Sequence, residues 1–302
     1  MVNSNTRYIG RFAPSPTGPL HIGSLISALA SYLDAKANDG LWLLRIEDLD
    51  PPRTVAGASE QIIDCLQKHQ LLWDGELIWQ SDRHATYQRV MEQLLAQQKA
   101  FYCSCSRADI QNSGGIYNGH CRHQHQPTDQ PCAVRLKVNS HNIGFRDTIQ
   151  GDYSQHLQQQ IGDFVIRRKD GLFAYQLAVV IDDALQAVTH VVRGSDLLSS
   201  TPRQIFIQQQ CGFSTPQYSH LPVITNAAGQ KLSKQTYAAP LDHQRANKNL
   251  LKALFFLNQT LPPQSIHQSC SNILNWAIEH WQPTQVSGKL SRPQSVLDRF
   301  AC

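Results

Sequence analysis

One stretch of the chain, RFAPSPTGPLHIGS (11–24), places a histidine where it could handle phosphate groups. His21 follows a loop with three prolines and Gly18, and helix-forming residues come after it. A strand, a Gly/Pro loop and a helix N-terminus together bind phosphate, because free backbone N–H groups and the positive end of the helix dipole meet the anion. We therefore expect His21 to reach a phosphate oxygen. Gly23, which has no side chain, should let the backbone or an adenine ring approach closely.

Arg11, Glu47 and Arg193 each stand near the end of a predicted apolar strand. Because ligands bind outside the carboxyl ends of parallel strands, we expect Glu47 and its neighbour Asp48 to face the same crevice as His21. A carboxylate there can receive an ammonium group, whereas an arginine can bind a carboxylate through two parallel hydrogen bonds. The competing interpretations are a solvated acidic loop for Glu47 and a surface salt bridge for Arg193.

Three of the eight cysteines are spaced to bind a metal ion. Cys103 and Cys105 are one residue apart, and Cys121 follows across a Gly-rich loop. Three thiolates on a loop suit a structural zinc ion, which is tetrahedral and requires a fourth ligand. Imidazole is a common zinc ligand, and three histidines are close by: His120, His123 and His125. The alternative is a set of free cysteines without a metal.

The hydrophobic pattern predicts the elements that position these residues. A strand over 8–13, a helix from 22 to about 38 and a strand over 41–46 form a βαβ unit, which predicts a doubly wound parallel sheet. Further helices are predicted at about 58–72, from a Ser81-Asp82 cap to about 99, over 203–210 after a Thr201-Pro202 cap, and at 250–258 and 273–281. Further strands are predicted at 132–138, 143–153, 188–194 and 218–226, with a hairpin from 164 that leads into a buried segment at 172–180.

Composition narrows the class of protein. The length of 302 residues suggests about two domains. The hydrophobic content of 41% is enough for a sizeable core. The net charge of +4 is compatible with an RNA partner. The chain has no run of 18 apolar residues and no signal pattern at its N-terminus, so we expect a cytoplasmic protein with reduced cysteines.

The stretch 11–24 resembles the HIGH signature of class I aminoacyl-tRNA synthetases, and more narrowly that of their glutamyl branch, with Ser24 in place of the final histidine. LRIEDLDPPR (44–53) is similar to the glutamyl pattern, in which the residue matching Glu47 contacts the substrate amino acid. KLSKQ (231–235) resembles the second class I signature, KMSKS, and departs from it at the second and fifth positions. The resemblance implies an α/β enzyme. Its catalytic domain would be a Rossmann-type doubly wound parallel sheet, with a zinc-containing connective insertion and a small C-terminal helical domain.

The resemblance also implies the substrate-binding residues. The glutamate site would comprise Arg11, Phe12, Ala13, Pro14, Ser15, Glu47, Tyr175 and Arg193, although Tyr175 could equally be a core aromatic. ATP, bound with Mg²⁺, would contact His21, Gly23 and Lys234. Attack of the glutamate carboxylate on ATP builds negative charge at the α-phosphate, which His21, Lys231 and Lys234 would stabilise. A buried arginine that faces a neutral amide loses its partner, so glutamate should be strongly preferred to glutamine.

The short members of the glutamyl branch, which lack an anticodon-binding domain, share a metal-binding pattern of Cys-x-Cys, Tyr, three residues and Cys. The resemblance therefore nominates Tyr117 as the fourth ligand beside Cys103, Cys105 and Cys121, and His123 remains its rival. We expect one zinc ion with a structural role, because it closes a loop far along the chain from both signatures.

The part of the chain after Gln235 suffices for a small helical domain but not for a large anticodon-binding domain. We accordingly expect four regions. Residues 1–100 would form the first half of the catalytic domain with the HIGH-like motif, and 101–190 the connective, acceptor-binding-like insertion with the zinc site. Residues 191–240 would form the second half with the KMSKS-like motif, and 241–302 the helical domain.

The resemblance to these short members implies activation of glutamate by ATP without tRNA, followed by transfer of glutamate to queuosine at the wobble position of tRNA(Asp). The expected partners are glutamate, ATP and queuosine-bearing tRNA(Asp), with no membrane, and we expect a monomer. Two other hypotheses remain open: a truncated glutamyl-tRNA synthetase that charges a tRNA 3′ end, and a non-catalytic RNA-binding module.

Overall fold

A βαβ unit opens the fold, as the hydrophobic pattern predicts. β1 (Ile9–Phe12) and β2 (Leu41–Ile46) pair in parallel, and α1 (Ile22–Lys36) connects them. β3 (Ile78–Trp79) adds a third parallel strand beside β2, after α2 (Ala58–Lys68). The computed structural model describes residues 7–127, 129–232, 239–263 and 268–300.

An antiparallel insertion follows α3 (His84–Ala96). Its three-stranded sheet has the order β4 (Ala100–Cys103), β5 (Ala133–Leu136), β8 (Phe164–Arg167). β6 (Asn142–Asp147) and β7 (Gly151–His156) form a separate hairpin. The short helices α4 (Arg107–Asn112) and α5 (Leu157–Gln160) connect these strands.

The chain then returns to the parallel sheet through α6 (Tyr175–Leu185). β9 (His190–Gly194) and β10 (Gln217–Leu221) pair in parallel around α7 (Thr201–Cys211). Thr189 joins this pair to β1, since its backbone N–H donates to the Ile9 carbonyl over 2.9 Å and its hydroxyl accepts from the Ile9 N–H over 2.8 Å. β1 and β9 therefore lie side by side, which joins the strands β3, β2 and β1 to the pair β9 and β10.

The last segments pack against the first ones. β11 (Val223–Thr225) pairs in parallel with β12 (Ser291–Pro293), which precedes α10 (Ser295–Asp298). α8 (Ala246–Phe256) and α9 (Cys270–Glu279) pack on α1. Fully buried leucines from α1 and α8 share one apolar core, so the helix that begins beside His21 is held by residues more than 200 positions later.

Two predicted helix starts are wrong. Residues 80–83 form a 3₁₀ turn and α3 begins at His84, because the Ser81 N–H donates to the Asp48 carboxylate and neither Ser81 nor Asp82 caps the helix. Thr201 does not cap α7 either. It is the first residue of that helix, and its hydroxyl accepts a hydrogen bond from Arg193 over 2.8 Å.

Two predicted strands differ from the structure, and a predicted buried segment proves to be helical. The stretch 143–153 is a hairpin, because the Asp147 carboxylate accepts the backbone N–H groups of Ile149 and Gln150 and so closes a turn. The buried segment 172–180 becomes α6 from Tyr175 onward. The stretch 218–226 divides into β10 and β11 at Pro222, which has no N–H to continue the ladder.

Within the described ranges, no helix combines the length and the apolar character needed to cross a membrane.

Candidate active site

A cavity of about 1000 Å³ opens where the strands of the parallel sheet end. Its lining includes the following sequence-predicted residues: Arg11, Phe12, Ala13, Pro14, Ser15, His21, Gly23, Glu47, Tyr175, Arg193 and Lys231. Asp48 was expected there but does not line the cavity, and its carboxylate instead accepts the Ser81 N–H over 2.9 Å. Lys234 lies outside the described residues.

His21 caps the helix that it precedes. Its Nδ1 accepts the backbone N–H groups of Gly23 and Ser24 over 3.1 and 3.3 Å, so these two groups are not free for a ligand, contrary to expectation. A ring nitrogen that accepts carries no proton, so the neutral ring holds its proton on Nε2, where it can be donated to a phosphate oxygen. A Cβ on Gly23 would lie 3.0 Å from Cε1 of His21, so a side chain at this position would crowd the imidazole ring and displace it by a few tenths of an ångström.

Arg45 is the charged centre of the floor beneath the cavity. It is fully buried in β2, and its Nη2 donates to Asp183 over 2.7 Å and lies 3.3 Å from a Glu47 oxygen. Arg11 donates to both oxygens of the same aspartate, from Nε over 3.1 Å and from Nη2 over 3.3 Å. Burial raises the pKa of Asp183, but the two arginines outweigh it and hold that pKa below its usual range.

The neighbouring Asp182 ties this floor to α3. Its carboxylate accepts from the Gln80 amide over 2.7 Å, from the Tyr87 hydroxyl over 2.7 Å and from Arg83 over 2.6 Å. Consecutive aspartates on α6 thus serve two purposes, one holding the arginines and the other holding the helix behind them.

The pKa of the Glu47 carboxyl group is set by two opposing effects, its burial and the nearby arginines. Its side chain is 7% exposed, and its backbone N–H donates to the Pro14 carbonyl over 2.9 Å, which fixes it beside the first loop. Burial raises the pKa of Glu47 to about 7, although Arg45 and Arg11 act in the opposite direction. The carboxylate can therefore ionise near neutral pH, and an incoming ammonium group would favour the ionised form.

Arg193 differs from the other cations of the cavity. Arg11 pairs with Asp183, Lys231 with Asp196 over 2.6 Å, and Arg53 and Arg168 both with Asp50. Arg193 is buried, has no carboxylate within 4.0 Å among the described residues, and its Nη1 has no hydrogen-bond partner there. A buried guanidinium with an unused donor is costly unless an anion occupies the cavity in front of it.

A second cluster lies in the insertion. The Cys103, Cys105 and Cys121 sulfurs all lie within 4.8 Å of one another, and the last two are 3.6 Å apart. Zinc–sulfur bonds of about 2.3 Å in a tetrahedron would place sulfurs roughly 3.8 Å apart, so the spacing fits this ion. Burial and the neighbouring sulfurs raise the pKa of Cys105 to about 12, so a cation is needed to hold the cluster ionised.

Tyr117 reaches the same cluster. Its hydroxyl oxygen accepts the Cys121 N–H over 2.7 Å, and its side chain packs in one apolar cluster with Cys103, Cys105 and Cys121. In the part of the chain that the structure describes, no imidazole nitrogen belongs to the group of sulfurs. The geometry thus brings together the four residues of the sequence prediction and leaves His123 apart from them.

Another Cys/His group, Cys65, His69 and His243, is explained by packing. The Nδ1 of His69 lies 2.7 Å from the Cys65 carbonyl, and its Nε2 lies 3.2 Å from the amide nitrogen of Asn249. Both ring nitrogens are therefore already in use. Burial lowers the pKa of His69, which keeps it neutral.

Comparison with known proteins identifies the family. The family model for class I tRNA synthetases (E and Q), catalytic domain, matches residues 9–258. Over 282 residues the chain is 50% identical to a glutamyl-Q tRNA(Asp) synthetase of Ectopseudomonas mendocina (strain ymp). The matched region covers 93% of this chain and 96% of that relative. The chain belongs to the glutamyl-Q tRNA(Asp) synthetase family.

Other similar proteins agree with this assignment to the family. A glutamyl-Q tRNA(Asp) synthetase of Neisseria meningitidis serogroup C (strain 053442) is 50% identical over 92% of this chain and 97% of its own length. A crystal structure of a glutamate tRNA ligase from Elizabethkingia meningosepticum CCUG26117, in complex with its amino acid, superposes with a TM-score of 0.79 at 25% identity. That match covers 95% of this chain and 67% of the ligase. The predicted class I synthetase fold is confirmed.

Sequence reasoning assigned no site role to three residues that contact the charged side chains of the cavity: Arg45, Thr201 and His220. Arg45 left a signal, since a charged residue inside the apolar run 41–46 must find partners when that strand is buried. Thr201 was interpreted as a helix cap. His220 left no signal, because its partners Asp147 and Arg193 are distant in sequence.

The Asp183 bridge generates a stability prediction. Asp183→Asn removes the carboxylate that Arg11 and Arg45 share, and leaves two buried positive charges poorly compensated. We expect the free energy of unfolding to fall by about 3–5 kcal/mol, measured by urea denaturation. Asp152→Asn is the matched control, because Asp152 is 80% exposed and lies 3.8 Å from an exposed Arg146. Equal stability of both variants would contradict the interpretation.

Proposed function

We propose that this enzyme activates glutamate with ATP, without requiring tRNA, and transfers the glutamyl group to queuosine at the wobble position of tRNA(Asp). The observation that carries the substrate assignment is the buried Arg193 guanidinium, whose charge no described carboxylate neutralises. The family supports the acceptor, since its members are named as glutamyl-Q tRNA(Asp) synthetases.

Glutamate would bind across the floor of the cavity. Its ammonium group would pair with Glu47. Its side-chain carboxylate would accept two hydrogen bonds from the guanidinium edge of Arg193 that carries Nη1, the nitrogen without a partner among the described residues. Arg11 would contribute mainly positive potential, because two of its nitrogens are already bound to Asp183. Glutamine would lack the charge that Arg193 requires, which accounts for selectivity.

The first step is an in-line displacement at phosphorus. An oxygen of the α-carboxylate attacks the α-phosphate of ATP, the bond to the β-phosphate breaks, and pyrophosphate leaves with the bonding electrons. Mg²⁺ would accompany ATP and neutralise its phosphates. His21 would donate from Nε2 to a phosphate oxygen, and Lys231 and Lys234 would stabilise the charge that develops. Lys234 is proposed on the motif alone.

In the second step a hydroxyl oxygen of the queuosine ring attacks the carbonyl carbon of glutamyl-adenylate. The bond between that carbon and the phosphate oxygen breaks, AMP leaves, and the hydroxyl proton passes to solvent. The product is a glutamyl ester on the modified base.

We further propose that Cys103, Cys105, Tyr117 and Cys121 hold one structural zinc ion. When bound, the ion would supply the positive charge that keeps the sulfurs ionised and would cross-link the loop of the insertion. These residues do not line the large cavity, so the role assigned to the ion is structural.

The test of the proposed function is glutamate-dependent exchange between ATP and pyrophosphate, measured with and without tRNA. We expect exchange without tRNA. We also expect labelled glutamate to be transferred to queuosine-bearing tRNA(Asp) even when the 3′ ribose of that tRNA has been oxidised with periodate. Exchange that requires tRNA, or a periodate-sensitive product, would favour charging of a 3′ end. The absence of exchange in all cases would favour a non-catalytic RNA-binding protein.

Glu47 predicts a pH dependence. Because its pKa is about 7, it becomes protonated and neutral below that pH and can no longer pair with an ammonium group. The value of kcat/KM for glutamate should therefore fall about tenfold per pH unit below pH 7. Glu47→Gln should lower kcat/KM at pH 8 and flatten this limb, whereas the exposed control Glu60→Gln should retain it. An unchanged limb in Glu47→Gln would exclude Glu47 as its source.

Metal analysis of the purified protein tests the zinc site. We expect one zinc per chain, lost in Cys121→Ser and retained in Cys270→Ser, a substitution on α9 outside the cluster. Tyr117→Phe should release zinc to a chelator faster than His123→Ala. The reverse order would assign the fourth position to His123, and no zinc in the wild type would refute the site.

A further inference from the structure

The side chains behind Arg193 form a buried chain that the proposed mechanism does not use. The Nδ1 of His220 lies 2.6 Å from an oxygen of Asp147, and Nε of Arg193 lies 3.0 Å from Nε2 of His220. The Thr201 hydroxyl accepts from Nη2 of the same arginine over 2.8 Å. All four residues are buried, and they come from β6, β9, β10 and the start of α7.

We propose that His220 is a positioning residue for glutamate recognition: Asp147 fixes it in one tautomer, and in that tautomer it holds the Arg193 guanidinium with its free edge toward the cavity. This inference rests on the proposed function and names a residue that acts through Arg193 rather than on the substrate.

The tautomer follows from the hydrogen bonds. A carboxylate can only accept, so the proton of the imidazole lies on Nδ1 and points to Asp147. Nε2 is then a lone-pair acceptor, which is what the Nε–H of Arg193 needs. Burial and the adjacent Arg193 lower the pKa of His220 against the opposing influence of Asp147, so the ring remains neutral.

Asp147 is itself fixed by the turn that it closes. Its Oδ1 accepts backbone N–H groups from Ile149 over 3.0 Å, Gln150 over 2.8 Å and His220 over 3.1 Å. Burial alone would raise its pKa, but the hydrogen bonds from His220 and Gln150 hold the pKa below its usual range. The position of the guanidinium therefore depends on the hairpin turn through two successive hydrogen bonds, of 2.6 and 3.0 Å.

The imidazole also preserves the charge of Arg193. A carboxylate in direct contact with a guanidinium would neutralise it, as Asp183 does for Arg11. Here a neutral ring stands between Asp147 and the arginine, so Nε is satisfied while the positive charge remains for a ligand. The ring of Tyr218 lies next to both side chains. Its centroid is 5.3 Å from Cζ of Arg193, and its plane is inclined by 14° to the stacked ring of His220.

Two substitutions separate the two functions of the ring. His220→Asn keeps a donor near the Nδ1 position but provides no acceptor for Arg193, whereas His220→Gln places an amide oxygen near the Nε2 position. In ATP–pyrophosphate exchange we expect His220→Asn to raise the KM for glutamate about 10- to 100-fold, which corresponds to one lost hydrogen bond to a charged group. The KM for ATP should stay within about twofold, and His220→Gln should recover most of the glutamate affinity.

The control is His69→Asn, at a buried histidine that directly follows α2 and does not line the cavity, and it should leave both KM values unchanged. If His220→Asn and His220→Gln affect glutamate and ATP equally, the role of His220 is structural and the inference is wrong. An unchanged KM for glutamate in His220→Asn would also overturn it. Absence of exchange in the wild type would instead refute the proposed function, and the inference with it.

Discussion

The burial of three arginines at the strand ends is the constraint on which the rest of the site depends. A guanidinium removed from water is costly unless hydrogen bonds and opposite charge compensate it. Arg11 and Arg45 are compensated by one aspartate on α6, and the same helix holds α3 through the adjacent aspartate. The helices that flank the insertion, α3 and α6, are therefore joined to each other and to the sheet by charge as well as by apolar packing.

Arg193 differs from the other two arginines because its partners carry no charge. Its partners are a neutral imidazole and a hydroxyl, which satisfy donors without removing charge. We propose that the cavity floor, with paired and unpaired arginines side by side, attracts an anion at one position only. The proposed partner of the ammonium group is Glu47, whose pKa of about 7 lies near neutrality. Together the two groups would select a substrate with charges of both signs.

Much of the fold and of the candidate site could be predicted from the sequence, because the signals for these elements and residues are local. The strand, Gly/Pro loop and helix around His21, the apolar run before Glu47 and the Cys-x-Cys pattern each occupy a short window. The hydrogen bonds of the His21 ring could not be predicted, since a helix start does not show whether its N–H groups are free or capped. Asp48 was misplaced because only every second residue of an extended chain faces the same side. His220 depends on partners 27 and 73 positions away, and such pairings appear only once the strands are placed.

The packing of α8 and α9 on α1 has a consequence for the order in which the protein becomes active. The helix that follows His21 buries its leucines against apolar residues of α8 and α9, and Trp281 donates a hydrogen bond to Asp34 on the same helix over 2.8 Å. During synthesis on the ribosome, the strand–loop–helix emerges first but has no partner for its outer face until those residues follow. The end of the site beside His21 therefore acquires its final packing among the last events of folding, after the insertion and its cysteine cluster have left the ribosome.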